Sequence, residues 1–187
     1  MKEELELVQR AQSGETEAFG KLYDTYFSKI YRFILLKVTK RVDAEDLTHQ
    51  VFLSAWQNIR SYRFQGNPFS SWLYRIAHNA VIDFYRTQKP HIDIELVSED
   101  SIAHIPDLEQ ELDRGAELIH VRYALTQLKP EEQTALIMKF VDELSNKEIA
   151  EALHKTEGAV RVMHHRALKQ LRKIIDESRN TQTIKTA

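Results

Sequence analysis

Apolar residues recur every three or four positions through most of the chain, a spacing that predicts α-helices rather than β-strands. The first helix is a short acidic amphipathic segment, and Ser13 and Gly14 separate it from a long second helix. That second helix carries an aromatic stripe from Phe19 to Tyr31, which we interpret as core because it follows helical spacing. No strand-like alternation of any length occurs, so the predicted fold class is all-α.

The next two helices are bounded by polar and turn-forming residues. Asp43 is expected to cap a third helix that ends near Ile59. The Gly-Asn-Pro turn at residues 66–68 then interrupts the helical pattern. A fourth helix is expected to begin near Ser70 or Ser71, so that four helices make up the first part of the chain.

The segment from Leu144 to Arg172 predicts two helices joined by a tight turn. Ser145 and Glu148 form an S-x-x-E capping box for the first helix, and Thr156 is a fresh N-cap for the second. The second helix has an inward face made by Val160, Met163, His164, Ala167, Leu171 and Ile174. Its outer face carries Gly158, Val162, His165, Arg166, Lys169 and Lys173, flanked by Arg161 and Arg172. Such a helix tip suits the DNA major groove, and the alternative is a solvated basic face on an ordinary helical hairpin.

Helical periodicity fades between residues 91 and 118, where acids, Ser and Pro accumulate, and we interpret this stretch as a linker. Beyond it, one helix is expected around residues 119–128, and Pro130 opens another that ends near Phe140. The polar C-terminal tail is expected to fray. The predicted organisation is two small helical domains joined by an acidic linker, with boundaries at residues 1–90, 91–118, 119–178 and a flexible tail at 179–187.

Charge is segregated along the chain, although the formal net charge is only −2. Residues 60–90 carry five cations against one acid, residues 91–118 nine acids against one Arg, and residues 145–173 seven cations against three acids. A local excess of cations is what phosphate binding requires. The absence of Cys fits a reducing compartment, and no apolar run is long enough for a membrane span. We therefore expect a cytoplasmic protein without membrane insertion.

The third helix is apolar on more sides than a small domain requires. One stripe suffices for packing, while Phe52, Leu53 and Trp56 lie on other faces among polar residues. Large side chains with polar rims are typical of protein–protein contacts, so this helix is predicted to bind a partner. The alternative is that the long second helix covers part of this surface and leaves nothing exposed.

The fourth helix is similarly double-sided. One face carries, at helical spacing, Trp72, Arg75, Asn79, Asp83 and Arg86. Aromatic, amide and guanidinium groups together suit single-stranded nucleic acid, because bases stack on rings and cations meet phosphates. Two aromatic residues on either side of the turn, Phe64 and Phe69, are expected to wall a pocket for an unstacked base. The alternative is a salt-bridged solvent face.

Three segments together resemble one family of proteins. They are DAEDLTHQVFLSAWQNI, FQGNPFSSWLYRIAHNAVIDFYR and ALTQLKPEEQTALIMKFVDELSNKEIAEALHKTEGAVRVMHHRALKQLR. In this order they are similar to the core-polymerase-binding helix, the minus-ten melting segment and the minus-thirty-five helix-turn-helix of bacterial extracytoplasmic-function (ECF) sigma factors. The resemblance covers most of the chain outside the linker and tail, and a short linker in place of a middle domain agrees with that subfamily.

The resemblance implies three sets of contacts. The residues that would dock on the clamp of the polymerase beta-prime subunit are Asp46, Gln50, Phe52, Leu53 and Trp56. Loop 64–71 would capture a flipped minus-ten base, and the melted strand would be held by Phe64, Phe69, Trp72, Arg75, Asn79 and Arg86. The minus-thirty-five element would be read or gripped by Thr156, Glu157, Gly158, Arg161, Val162, His165, Arg166 and Lys169.

The family also implies partners beyond the clamp. These are the polymerase beta subunit, promoter DNA and a cognate anti-sigma factor, while no cofactor or metal is implied. The acidic linker would thread the polymerase cleft near the path of nascent RNA, where its carboxylates would imitate a nucleic-acid backbone.

Three places depart from the family pattern. His49 and Gln50 replace a common Gln-Glu pair, which removes a carboxylate from the docking face. Val162 and Met163 stand where polar or basic residues are common, so the family does not predict which minus-thirty-five sequence is read. His154 replaces the common Gly of the helix-turn-helix turn, and a positive φ there would strain the backbone.

The residues themselves leave two other functions to weigh. A stand-alone helix-turn-helix regulator would use only the second domain, which leaves the double-sided third and fourth helices unexplained. A metal-dependent hydrolase would use some of the 8 His, but His164 and His165 point to different faces and no H-E-x-x-H occurs. The leading hypothesis is a non-enzymatic sigma factor that binds core RNA polymerase and directs promoter-specific initiation.

Overall fold

The computed structural model describes residues 2–38, 40–64, 66–87 and 123–185, with side chains through residue 177. Its helices are α1 (Lys2–Gln12), α2 (Thr16–Leu35), α3 (Arg41–Asn58), α4 (Phe69–Thr87), α5 (Pro130–Leu136), α6 (Asn146–Ala152) and α7 (Glu157–Lys185). A 3-10 turn at Ile59–Ser61 follows α3, and a π-helical segment at Ile137–Val141 continues α5. Residues 123–126 are also helical. No strand occurs within these ranges, and the predicted all-α class is confirmed.

Helices α1 to α4 pack around an apolar core that forms the first domain. Gly14, at φ 98°, makes the left-handed turn that lets α1 fold back on α2. The α2 stripe packs on the core: Leu22 and Ile30 are fully buried, and the aromatic rings between Phe19 and Tyr31 are partly buried against the same cluster. Phe33 meets Tyr74 of α4 edge-to-face, with 5.4 Å between ring centroids. Helix α3 packs against both α2 and α4, so the candidate partner helix adjoins the candidate nucleic-acid helix.

Helices α5 to α7 form the second domain, and the predicted helix-turn-helix is present in it. At the start of α6, Ser145 Oγ accepts a hydrogen bond from the Glu148 N–H at 3.2 Å, and Glu148 Oε2 accepts one from the Ser145 N–H at 2.8 Å. At the start of α7, Thr156 Oγ1 accepts a hydrogen bond from the Ala159 N–H at 3.2 Å. Val160 is fully buried on the inward face of α7, which leaves the basic face outside.

Two helix ends differ from the prediction. Helix α3 begins at Arg41 with Lys40 at the N-cap, so Asp43 is not the cap. Asp43 lies in the first turn instead, where a carboxylate still interacts favourably with the helix dipole. A frayed tail was expected at residues 179–187, but helix α7 continues to Lys185. It continues because neither Gly nor Pro interrupts this polar sequence.

The two domains pack against each other. Helix α4 lies on α6, and α2 contacts the π-helical segment. Buried residues of both domains belong to one continuous apolar cluster, which includes Met138 and Ile149 of the second domain. The predicted acidic linker, residues 91–118, lies outside the described ranges. None of the described helices is long and apolar enough to cross a membrane.

Candidate nucleic-acid interface

A row of side chains on α3 faces outward and fits the predicted partner surface. Asp46 and Gln50 are exposed, and Leu53 exposes 57% of its surface. Val42 is 64% exposed and lies on the same side, because it precedes Asp46 by four residues and Leu53 by eleven. Sequence reasoning missed Val42 because it stands before the expected start of the helix. We call Val42, Asp46, Gln50 and Leu53 the docking row.

Phe52 and Trp56 were predicted for this surface, and the structure corrects that prediction. Phe52 is 4% exposed and packs against Tyr23 of α2, with 4.7 Å between ring centroids. Trp56 is half-buried against Phe19 of α2, at 4.9 Å. The aromatic stripe of α2 therefore covers this side of α3, as the alternative held. Phe52 is a core residue, and only part of Trp56 reaches the surface.

The loop before α4 presents one aromatic ring rather than two. Phe64 is 43% exposed, whereas Phe69 is 2% exposed. Phe69 packs against Tyr62 and Trp72, with 5.6 and 5.4 Å between ring centroids. The prediction that Phe69 walls an open pocket is therefore wrong, because this first residue of α4 belongs to the core. Of the two rings, Phe64 is the one that reaches the surface.

Two residues that the sequence did not single out hold this loop in place. Glu4 of α1 accepts hydrogen bonds from the Phe69 N–H at 3.1 Å and from the Tyr26 hydroxyl at 2.7 Å. Burial and this hydrogen bond raise the pKa of Tyr26 well above its ordinary value. The Tyr62 hydroxyl donates to the Asn67 carbonyl at 3.2 Å. The loop is therefore positioned by Glu4 of α1 and by Tyr62 after the 3-10 turn, through contacts that no local sequence pattern marks.

The predicted strand-binding face of α4 is partly occupied by its own side chains. Asn79 and Arg86 are exposed, while Trp72 and Arg75 are half-buried. Arg86 Nη2 lies 3.1 Å from Asp83 Oδ1, so the salt-bridged alternative describes this pair. An exposed ion pair is weak in water, so Arg86 can exchange Asp83 for a DNA phosphate.

A groove between α3 and α4 joins the docking row to the strand-binding face. Its volume is about 580 Å³, and its polar lining comes from Gln50, Ser54, Asn79, Asp83 and Thr87. Gln50 was predicted to meet a protein partner and Asn79 to read a base, yet both open into this one groove. The structure therefore brings together two sets of residues that the sequence treats as separate.

The outer face of α7 is the second candidate surface. All residues predicted for minus-thirty-five DNA are exposed on it or at its cap: Thr156, Glu157, Gly158, Arg161, Val162, His165, Arg166 and Lys169. Arg161 Nη2 lies 3.4 Å from Glu157 Oε2, one turn earlier. Val162 is 48% exposed between these cations, and an apolar contact of this kind suits a thymine methyl group.

The two adjacent histidines of α7 lie on different faces of the helix, as predicted. His164 is 9% exposed, and its Nε2 lies 3.1 Å from the Ala135 carbonyl oxygen. Burial lowers the pKa of His164, so the ring is held in its neutral form against α5. His165 is exposed on the outer face. Only His165 is therefore placed to meet DNA.

Comparison with known proteins identifies the family. The sequence profile of Sigma-70 region 2 matches residues 22–91, and that of Sigma-70 region 4 matches residues 120–171. ECF RNA polymerase sigma factor SigW of Bacillus subtilis is 30% identical over 175 residues, which are 89% of this chain and 93% of SigW. This chain belongs to the ECF sigma factors. It is also similar to ECF RNA polymerase sigma factor BldN of Streptomyces coelicolor, with 34% identity over 178 residues, which are 92% of this chain and 66% of BldN.

Two solved structures share the fold of this chain. CnrH, solved in complex with the cytosolic domain of CnrY, has a TM-score of 0.71 at 22% identity, covering 94% of this chain and 98% of CnrH. The sigma factor RpoE of Bartonella quintana, solved in complex with the anti-sigma factor NepR, has a TM-score of 0.63 at 17% identity, covering 84% of this chain and 96% of RpoE. The all-helical fold of this chain is thus shared with solved structures as well.

These findings decide between the functions weighed from the sequence. A stand-alone helix-turn-helix regulator has no reason to carry region 2, whose profile matches the whole α3–α4 unit. The relatives are sigma factors rather than hydrolases.

Proposed function

We propose that the two domains of this sigma factor grip a promoter at two places while α3 holds the polymerase. The observation that carries the proposal is the presence, on one chain, of a basic helix tip on α7 and a polar face on α4 beside the docking row. Residues 1–90 bind core polymerase and the minus-ten element, and residues 119–178 bind the minus-thirty-five element. Residues 91–118 connect the two grips.

The second domain reads duplex DNA through the start of α7. Thr156 caps the helix, and Gly158 lets the backbone approach the groove edge closely. Arg161, Val162 and His165 face base edges, where guanidinium groups pair with guanine and apolar side chains meet thymine methyls. The more distal cations, Arg166 and Lys169, grip phosphates and fix the register.

The first domain captures the melted strand. Phe64 stacks on a flipped base at the loop before α4, and Asn79 pairs with a base edge from within the groove. Trp72 and Arg75 support this face from half-buried positions, and Arg86 binds phosphate at its far end. The domain carries out no chemistry of its own, because binding the unpaired strand is enough to stabilise the melted state.

The protein partners follow from the family and its solved complexes. The docking row binds the clamp of the polymerase beta-prime subunit, and the second domain contacts the beta subunit. CnrH was solved with the cytosolic domain of CnrY, and the sigma factor RpoE of Bartonella quintana with the anti-sigma factor NepR. We propose that a cognate anti-sigma factor binds this chain as well, and that the chain works in the cytoplasm, where polymerase and promoters are found.

The docking row provides the direct test of the proposed function. Leu53→Ala removes an exposed apolar anchor, so the fold is retained while the affinity for core polymerase falls by about 1–2 kcal/mol. Affinity is measured with purified core polymerase, and function by reconstituted transcription from a cognate promoter, which the variant should support less well at limiting concentration.

The matched control is Ile82→Ala, which shortens another exposed apolar side chain, on α4, outside the docking row. It should leave the affinity for core polymerase unchanged. Equal losses in the two variants would show that α3 is not the docking helix. A wild-type chain that binds duplex DNA tightly but never copurifies with core polymerase would contradict the sigma-factor role of this chain.

A further inference from the structure

Helix α4 begins without a capping side chain of its own. Its first residue is Phe69, it has no acidic residue in its first turn, and the preceding Pro68 has no side-chain acceptor. The acceptor comes from α1, where Glu4 Oε1 accepts hydrogen bonds from the Phe69 N–H at 3.1 Å and from the Tyr26 hydroxyl at 2.7 Å. A carboxylate at a helix N-terminus satisfies a free N–H and interacts favourably with the helix dipole. Glu4 therefore caps α4 from 65 residues away in sequence.

The end of α3 is capped from the same helix. Gln12 Nε2, in the last turn of α1, donates hydrogen bonds to the Ile59 carbonyl at 2.9 Å and to the Tyr62 carbonyl at 2.8 Å. Ile59 is the C-cap residue of α3, and Tyr62 follows the 3-10 turn. Carbonyls at a helix end lack partners within the helix, and a side-chain amide has two N–H groups to donate. One side chain of α1 therefore satisfies both carbonyls.

Helix α1 joins these two caps as a stiff spacer. Glu4 and Gln12 are eight residues apart, which is about 12 Å along a helix axis. Between them, Val8 and Ala11 are buried in the core of the first domain, at 1% and 2% exposure. We call residues 59–68 the α3–α4 connection. Because α1 is anchored in the core and bonded to both ends of this connection, it sets the span that the connection has to cross.

Phe64 lies within that span. Tyr62, two residues before it, is held at its carbonyl by α1, and Phe69, five residues after it, is held at its N–H by α1. The Tyr62 hydroxyl also donates to the Asn67 carbonyl at 3.2 Å. The backbone on either side of Phe64 is therefore fixed, while 43% of the Phe64 side chain stays exposed. An exposed ring on a fixed backbone loses less conformational freedom when a ligand stacks on it.

We propose that Glu4 and Gln12 are positioning residues for base capture, which act through the α3–α4 connection to place Phe64 against the flipped minus-ten base. This inference rests on the proposed stacking role of Phe64. Neither positioning residue contacts DNA. Each orders the backbone before the strand arrives, so that less entropy is lost on binding. The acidic first helix thus takes part in minus-ten recognition, although its own sequence carries no nucleic-acid-binding pattern.

The experiment measures how holoenzyme, reconstituted from core polymerase and this chain, binds the melted strand. The probes are fluorescent single-stranded oligonucleotides with the minus-ten sequence of a promoter at which this holoenzyme initiates, one intact and the others each lacking one base. The captured base is the one whose removal weakens binding to wild type but not to Phe64→Ala.

Gln12→Ala should weaken binding to the intact strand about threefold to tenfold, the usual effect of one lost hydrogen bond. It should leave binding to the strand without the captured base unchanged, because that strand gives Phe64 nothing to stack on. The matched control is Gln9→Ala, which shortens the same kind of side chain at an exposed position of α1. This control should bind both strands as wild type does.

Glu4 allows a loss and its rescue at one position. Glu4→Ala removes the acceptor and should resemble Gln12→Ala. Glu4→Gln keeps a side-chain oxygen for the Phe69 N–H and the Tyr26 hydroxyl, so it should bind the intact strand nearly as wild type does. Gln12→Ala carries the test by itself if Glu4→Ala does not fold.

A double-mutant cycle separates positioning from a general loosening of the fold. In a Phe64→Ala background, Gln12→Ala should cause no further loss of affinity for the strand. Equal losses with and without the Phe64 ring, or wild-type affinity in both Gln12→Ala and Glu4→Ala, would overturn the proposal. Failure of the proposed role of Phe64 has a different signature, because Phe64→Ala would then bind every strand as tightly as wild type does.

Discussion

His154 occupies the left-handed region of the backbone, at φ 52°, in the turn between α6 and α7. The sequence raised this possibility because related turns commonly have Gly there. His154 is exposed, so its imidazole adds little packing that would compensate for the strain. The same conformation recurs at Glu143, at φ 59°, just before α6, where no motif predicted it. Both loops that bound α6 therefore carry backbone strain.

His154→Gly should raise the free energy of unfolding by about 0.5–1 kcal/mol, because the strain relieved exceeds the added flexibility of the unfolded chain. Urea denaturation followed by circular dichroism measures the change. His154→Ala is the matched control, since it removes the imidazole and keeps the strained φ, and it should not stabilise the chain. Equal stabilisation by Ala and Gly would show that the imidazole, and not the backbone, is responsible.

Two neighbouring residues of α3 show what helical spacing alone does not predict. Phe52 and Leu53 are neighbours on α3, and both were predicted to meet a partner, yet one is 4% and the other 57% exposed. Helical spacing fixes which residues share a face, but it does not say which face a second helix covers. The rings of Tyr23 and Phe27 cover Phe52, and their reach depends on how α2 packs against α3.

At the scale of elements, the periodic pattern predicted the existence of most helices better than their ends. Helix α6 was predicted closely because the Ser145–Glu148 capping box is a purely local device. The start of α3 was missed because Lys40, its N-cap, makes no side-chain capping bond that sequence reasoning could identify. The π-helical segment at Ile137–Val141 was missed because an apolar run carries no signal for one extra residue per turn.

The basic face of α7 predicts how the second domain binds duplex DNA. Arg166→Ala should weaken binding to duplex promoter DNA at every sequence and should flatten the salt dependence, since one phosphate contact contributes about 0.9 to the slope of log K against log salt. Fluorescence anisotropy at several salt concentrations measures both effects. The control is Lys129→Ala, which removes an exposed cation at the start of α5 and should leave the slope as in wild type. A loss confined to one promoter base would instead assign Arg166 to base reading.

At the scale of the whole molecule, the contact between the domains was beyond the reach of the sequence. Each domain was predicted with its own helices, and nothing in the spacing of Arg32 and Asp142, 110 residues apart, pairs them. One trace of the contact lies where α5 passes into the π-helical segment: six consecutive residues, 133–138, are buried there. A two-sided helix of a free-standing domain would leave some of them exposed, but this one lies between α7 and the first domain.

His78 of α4 gives the molecule a measurable response to acid. Burial lowers the pKa of His78 from 6.5 to about 4. The positive charges of Lys37 and Lys155 also lower this pKa, while the negative charge of Glu131 raises it. The folded chain therefore binds fewer protons at His78 than the unfolded chain between about pH 4 and 6.5. The stability that neutral His78 contributes is fully present above pH 6.5 and is lost as the pH falls through this window.

His78→Gln should thus flatten the fall in the free energy of unfolding between pH 7 and pH 5, measured by urea titration at each pH. Asp142 acts in the opposite sense, because its raised pKa makes the folded chain bind more protons as the pH falls below about 6. The wild-type slope alone therefore mixes the two groups, and the difference between wild type and His78→Gln isolates the histidine. His165→Gln, at an exposed position on α7, is the matched control and should keep the wild-type slope. Identical slopes in wild type and His78→Gln would mean that His78 is as open to water in solution as in the unfolded chain, and hence that α4 is not covered there.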